Sequence, residues 1–489
     1  MTRGGAETRD LSGLPPAPEV VERALAAAGG EGCVVIVEDL SQAEIRFANN
    51  TVTTNGVRRD RRVTVVSFQA VQGGMATGMA RRGGVADVDE LVRDAARDAA
   101  SSPPAEDAAA LVGPASRRPE APAAPAAPGG PVGADFDLPP GTTDLSVLGD
   151  VLGGLGRAFR RARRPGSDRV LAGFAEHGVS TVYLGTSTGL RLRHVQPTGA
   201  LHLVARSADG SRSAWAGSGT ADFTDVAVDE LEQQLAPRLE RARRRIELPA
   251  GRYEVLLPPE ATADLMVGLA DAMGGQDAED GRTVFSRPGG GTRLGDTLSP
   301  LPFELRSDPA EPGLACPPFL ATGVSAADVS VFDNGLGIGR TGWIERGRLA
   351  RLRYHRAGAL RSGAIPTPPV DNLVLELPGA AGTLDDLVAR TERGLLVTCL
   401  WYIREVDPST LLLTGLTRDG VYVVEDGEIV GSTNNFRFNE SPVGVLARAT
   451  EAGATGRALG REFGEWLNRT SMPTLRVPDF NMSSVSQAS

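Results

Sequence analysis

The sequence predicts an α+β protein, with a mixed helix-and-sheet unit near the N-terminus and a larger, β-rich C-terminal region. Three observations carry this expectation. Apolar residues recur at helical spacing only in isolated blocks, strand-like runs bounded by Gly, Pro and Asp follow one another between them, and from Arg252 onward short strands and turns dominate. A chain of 489 residues with 41% hydrophobic content is long enough for two or three packed domains.

In chain order, residues 1–18 read as a flexible tail. Residues 19–100 read as an N-terminal α/β domain. It opens with a helical pattern over Glu19–Ala28, and the apolar run Val34–Val37 then predicts a buried strand. Alternating segments cover Ala43–Thr54 and Arg62–Val71, a Gly-rich turn follows, and Asp87 is placed to cap a helix over Val88–Ala99. Residues 101–141 are rich in Pro, Ala and Gly with few large apolar residues, a composition that predicts a linker or loop.

Residues 142–250 read as a central region. Leu145, Leu148, Val151, Leu152, Leu155 and Phe159 make Thr143–Arg163 an amphipathic helix, strands are expected from Val170 to Arg206, and Leu231, Leu235 and Leu239 mark a further helix before Pro249. Residues 251–489 form the C-terminal domain, with helices expected over Ala261–Met273, Leu384–Arg393 and Arg457–Asn468. Thr383 and Asp386 have capping-box spacing.

Composition excludes several functions. A net charge of -10 argues against a duplex nucleic-acid partner, and the clusters Arg160–Arg164 and Arg241–Arg245 read as solvated helix ends. Every basic residue is Arg, so Schiff-base chemistry and a GK[ST] phosphate loop are out of reach. Cys33, Cys316 and Cys399 are widely spaced and odd in number, as in a reducing compartment. No apolar run approaches the roughly 18 residues of a membrane span, and Met1–Pro18 lacks a signal-type apolar core. The expectation is a cytoplasmic protein without a membrane partner.

Several segments in order resemble the TldD/PmbA family: Arg46–Gly56, Phe332-Asp-Asn-Gly335, Trp343–Leu349, Asn372–Gly379, Thr383–Thr398 and Tyr422–Val430. The resemblance covers most of the chain, from about Glu19 to Phe480. Catalytic members of that family carry HExxxH on the helix after the strand that opens the C-terminal domain, two imidazoles holding zinc and the Glu serving its bound water. Here that strand is Tyr253–Leu257, and Val267, Gly268, Asp271 and Ala272 fall within the motif's register, with no His between His202 and His355. The family's further Cys ligand is replaced by Thr414-Gly-Leu-Thr417.

These departures imply the PmbA/TldE-type subunit. The resemblance then implies no cofactor in this chain, zinc in a TldD-like partner subunit, a heterodimer or larger hetero-oligomer, and an unfolded or short peptide as substrate, in general proteolysis or in peptide and natural-product maturation. It also makes Asn434, Asn435, Arg437 and Asn439 candidates for peptide contact, against the alternative of an ordinary polar turn and strand edge.

Other readings compete. With Gln196–Ala200 as a turn, His194 and His202 would oppose each other in a hairpin and could share a metal, although no acid or thiol lies nearby in sequence. A thiol hydrolase built on Cys399 and His355 conflicts with the core-strand character of Leu395–Trp401. The glycines of Pro288–Gly295 read as a turn rather than a phosphate loop. Two further alternatives are an active peptidase with non-standard ligands and a regulatory protein-binding module, the latter suggested by the family's description as a gyrase modulator.

Overall fold

The run Val34–Val37 has no polar face to offer water, and the computed structural model, which describes residues 13–84, 87–115, 135–167 and 169–486, buries it on both sides. It lies in β1 (Gly32–Ala48) of a six-stranded sheet with β2 (Thr51–Val71), β3 (Gly74–Gly83), β4 (Arg169–Thr186), β5 (Arg191–Ser207) and β6 (Ser213–Thr220), in the order β3-β2-β1-β4-β5-β6. Cys33, Val35 and Val37 face helices α1 (Ala17–Ala27) and α2 (Val88–Ser101). Ile45 and Phe47 share that face and meet α3 (Gly149–Ala162) and α4 (Val228–Arg241). Val34 and Ile36 point the other way and pack on Phe319 and Phe332 of the C-terminal half.

Two expectations change here. The segment Ala43–Thr54 is not one strand, because Asn49 and Asn50 take φ values of 52° and 58° and reverse the chain between β1 and β2, the primed turn that suits a twisted hairpin. Residues 19–100 and 142–250 do not form separate sheets either: β1 pairs with β4 from Val34↔Thr186 to Phe47↔Gly173. Segment 101–141 is anchored where it is described. Val112 and Phe136 are buried, the Arg356 guanidinium donates to the Ala110 carbonyl at 2.7 Å, and the Ser325 hydroxyl to Asp107 at 2.6 Å. Residues 1–12 of the expected tail and 116–134 of the expected linker lie outside the described residues.

The C-terminal half begins with β7 (Gly251–Leu257) and α5 (Pro259–Asp271). A six-stranded sheet contains β8 (Glu304–Ser307), β9 (Thr341–Glu345), β10 (Arg348–Leu349), β11 (Leu373–Glu376), β19 (Gly456–Ala458) and β20 (Thr470–Met472). In a nine-stranded sheet, β7 is joined by β12 (Arg393–Val397), β13 (Leu400–Asp407), β14 (Leu412–Thr417), β15 (Val421–Glu425), β16 (Glu428–Ser432), β17 (Phe436–Glu440), β18 (Glu451–Ala452) and β21 (Leu475–Val485). One apolar core takes residues from both sheets and from α5. Helix α5 is buried on nearly all sides, as a sequence with so little polar surface requires.

The capping box of Thr383 and Asp386 forms, but its helix stops at Ala389 because Arg393–Val397 is drawn into the sheet between β7 and β15. Arg457–Asn468 is not a helix. Its first residues belong to β19, and the amides of Arg461, Glu462 and Phe463 turn toward the buried carboxylate of Asp264.

Candidate functional site

Pro259 starts α5 at a position where a missing N–H costs nothing, and the helix then runs through the core to the edge of a cavity of about 800 Å³. Val267, Gly268 and Asp271 line that cavity, while Ala272 caps the helix beside it. Gly268 faces β14 at ordinary packing distance: a Cβ there would lie 3.4 Å from Leu413 Cδ1. Three of the four positions that the resemblance assigns to the motif's register, Val267, Gly268 and Asp271, therefore lie on the wall of the cavity.

The remaining walls come from distant parts of the sequence. Asp371 and Asn372 precede β11, Ile403, Arg404 and Glu405 belong to β13, Leu413 to β14, and Glu462, Phe463 and Trp466 to the segment after β19. Asn372 is buried and ties the cavity floor together: its amide donates to the Asp308 and Leu314 carbonyls at 2.6 and 2.8 Å and its oxygen accepts the Asp308 N–H at 3.0 Å. Trp343 donates from Nε1 to Ser307 Oγ at 2.9 Å. Asp371 pairs with Arg469. Glu462 accepts the Tyr402 amide at 2.9 Å and pairs with Arg404 at 3.1 Å.

Behind this wall, Asp264 accepts three backbone amides, from Arg461 at 3.0 Å, Glu462 at 3.0 Å and Phe463 at 2.9 Å. Burial pushes its carboxyl up to about 7 against the pull of those donors. Cys399 is also buried, and desolvation holds its thiol well above its ordinary range, so it packs as a small apolar group. Cys33 and Cys316 are likewise buried and pushed up to about 12. His355 is occupied as a helix cap, its Nδ1 accepting the Gly358 N–H at 3.1 Å.

The hairpin expected at Gln196–Ala200 is absent, because β5 runs unbroken through it and pairs with β4 throughout. His194 and His202 thus stand eight positions apart on one strand, about 26 Å at the rise of an extended chain, and share no ligand. His202 stacks on Phe174 with ring centroids 4.5 Å apart, and burial lowers its pKa to about 3. His194 bonds to Gln196 Oε1 at 3.0 Å.

The expected peptide-contact residues do not reach the cavity. Phe436 and Phe438 of β17 point into the core shared with Leu413, which turns Arg437 and Asn439 to the opposite face of the sheet. Asn434 is buried and accepts the Leu248 N–H at 3.0 Å, and Asn435 Oδ1 lies 3.3 Å from Thr417 Oγ1. Asp371, Glu405, Glu462 and Trp466 were missed by sequence reasoning. Only proximity in the fold unites them, and the last two lie in a segment whose pattern suggests a helix.

A zinc ion needs three or four His, Cys, Asp or Glu ligands converging on one point. Val267, Gly268 and Ala272 offer no donor, and among the described residues no three such side chains form a group that could hold a metal. The donor set does not fit zinc.

The strand-then-helix entry, the two-sheet core and the cavity at the end of α5 define the class: residues 250–484 match the PmbA/TldA metallopeptidase C-terminal domain. The chain thus carries a C-terminal domain of the PmbA/TldD family. Its fold is similar over nearly the whole length to TldE from Thermococcus kodakarensis, with a TM-score of 0.74, 16% identity, and coverage of 95% of this chain and 98% of that one. A Thermotoga maritima protein described as a candidate modulator of a DNA gyrase gives a TM-score of 0.72 at 16% identity, covering 95% and 99%. A Bacteroides thetaiotaomicron protein with a similar description gives 0.72 at 15% identity, covering 96% and 98%. No curated protein matches the sequence. No helix among the described residues is long and apolar enough to cross a membrane.

Proposed function

We propose that this chain is the non-catalytic, PmbA/TldE-type subunit of a zinc metallopeptidase whose metal resides in a TldD-like partner. The observation that supports this reading is the chemistry of α5 beside the cavity: Val267, Gly268 and Ala272, which the sequence resemblance aligns with the family's two zinc-binding imidazoles and catalytic carboxylate, carry no metal-binding or proton-accepting side chain. A side chain without a lone pair cannot bind zinc, and glycine cannot accept a proton from water. The cavity beside α5 has a volume of about 800 Å³, suited to part of an extended peptide. In this reading the chain shapes the peptide chamber, the partner cuts, and the complex works in the cytoplasm on unfolded or short peptides.

The test is reconstitution. This chain, a zinc-bearing TldD-like companion and their mixture are each incubated with a fluorogenic unstructured peptide. The expected outcome is a stable complex in which cleavage is chelator-sensitive and exceeds that of either chain alone. Chelator-sensitive cleavage by this chain alone, or failure of the two chains to associate, overturns the proposal.

A further inference from the structure

The ionic groups around the cavity do not balance. Asp371 is paired with Arg469, Glu462 with Arg404 and Arg353 with Asp328, the last at 2.9 Å. Arg353 is further engaged by donating from Nη2 to the Asp271 carbonyl at 2.6 Å. Two carboxylates among the lining residues are left over: Asp271 at the C-terminal end of α5 and Glu405 on β13, neither of which forms an ion pair among the described residues. Next to these acids, Trp466 is 73% exposed and stacks on Phe463 at 5.3 Å, so a large aromatic face is held at the cavity while remaining open to solvent.

We propose that this cavity selects an extended peptide segment bearing an Arg or Lys side chain, the cation lying between Asp271 and Glu405 and an adjacent apolar residue on Trp466. The proposal rests on the reading of the chain as a peptide-chamber subunit and adds the class of peptide. Three features favour this occupant. The net negative charge of the walls draws cations, a half-enclosed cavity screens that attraction less than an open surface does, and an exposed indole supports both a cation and an aliphatic chain. An acidic segment would meet two unpaired carboxylates, which is a repulsive contact as well as a lost attraction.

The test is binding to the full chain, with no cleavage involved. Fluorescein-labelled octapeptides Ala-Leu-Xaa-Ala-Leu-Xaa-Ala-Gly, with Xaa as Arg, Gln or Glu, are titrated and followed by anisotropy. The Arg peptide is expected to bind at least tenfold more tightly than the Glu peptide and to weaken as salt rises. In D271N/E405Q, whose exposed substitutions leave the thermal melt unchanged, that preference is expected to fall to within about threefold. W466A is expected to weaken the Arg and Gln peptides together. Equal affinity for the three peptides, preference for the Glu peptide, or a preference unaltered in D271N/E405Q overturns the inference. The reconstituted cleavage assay stands apart from this result, so loss of charge selectivity leaves the subunit reading intact, and failure of the complex leaves the binding result intact.

Discussion

Asp264 Oδ1 accepts the backbone amide of Phe463 at 2.9 Å, linking the middle of the buried helix α5 to a turn almost two hundred residues later. The same carboxylate holds the amides of Arg461 and Glu462, and this grip carries Phe463, and Trp466 stacked on it, to the cavity. The wall of the cavity is thus set by a polar contact inside the core.

Replacement of Asp264 by Asn tests that role. An amide side chain presents one oxygen and one NH2 group, so at least one buried N–H is left facing a donor, which costs about 2–4 kcal/mol. Urea denaturation of D264N is expected to show a loss of that size. Quenching of tryptophan fluorescence by iodide should also rise, because Trp466 is released from its stack.

His202 makes the fold acid-sensitive. Its folded pKa of about 3 lies below its ordinary value, so between those two values the unfolded state binds more protons and stability falls as pH drops. Asp264, raised to about 7, acts in the opposite sense by losing stability as pH rises toward 7. The comparison is therefore made between wild type and H202F, where the Asp264 contribution cancels. The stability difference is expected to change by up to about 1.4 kcal/mol per pH unit below pH 6.5, with wild type losing more, as measured by denaturant midpoints from pH 7 to pH 4.

Gly78 on β3 sits directly beneath α2. A Cβ at this position would overlap the Ala99 amide and the Ala95 carbonyl, which are helix backbone and cannot rotate away. G78A is expected to cost about 3 kcal/mol, and hydrogen exchange should show α2 as the element that loosens most.

Arg476 on β21 is buried and serves three segments. It pairs with Glu254 of β7 at 2.8 Å and with Glu451 at 2.9 Å, and donates to Thr391 at 2.7 Å and to the Leu387 carbonyl at 3.0 Å. R476A strands a set of buried acceptors and is expected to cost about 3–5 kcal/mol by chemical denaturation. R476K is expected to recover only part of this, because an ammonium group cannot reproduce the planar fork.

Local signals were legible in the sequence where local chemistry decides the outcome. Asp87 caps α2 by accepting the Glu90 N–H at 3.0 Å, the capping box at Thr383 forms, and Val34–Val37 is buried. The α+β class follows from such features. What escaped were outcomes set by distant partners. Arg457–Asn468 has helical spacing, yet Asp264 claims its amides. Gln196–Ala200 looks like a turn, yet seventeen consecutive pairings with β4 keep β5 straight. The cavity was legible only on one side: the resemblance pointed to Val267, Gly268 and Asp271, while Asp371, Glu405 and Trp466 arrive from strands and turns that only the folded sheets bring near.

The pairing of β1 with β4 has a consequence for how the chain acquires its structure. Val34 meets Thr186, so during synthesis the apolar strand β1 has one edge satisfied early by β2 and the other unpaired until the chain has grown past β4. That edge is a template for mispairing with a neighbouring nascent chain. Closure across so long a separation is slow, which makes the N-terminal sheet the late and aggregation-exposed step of biogenesis, however stable it is once formed.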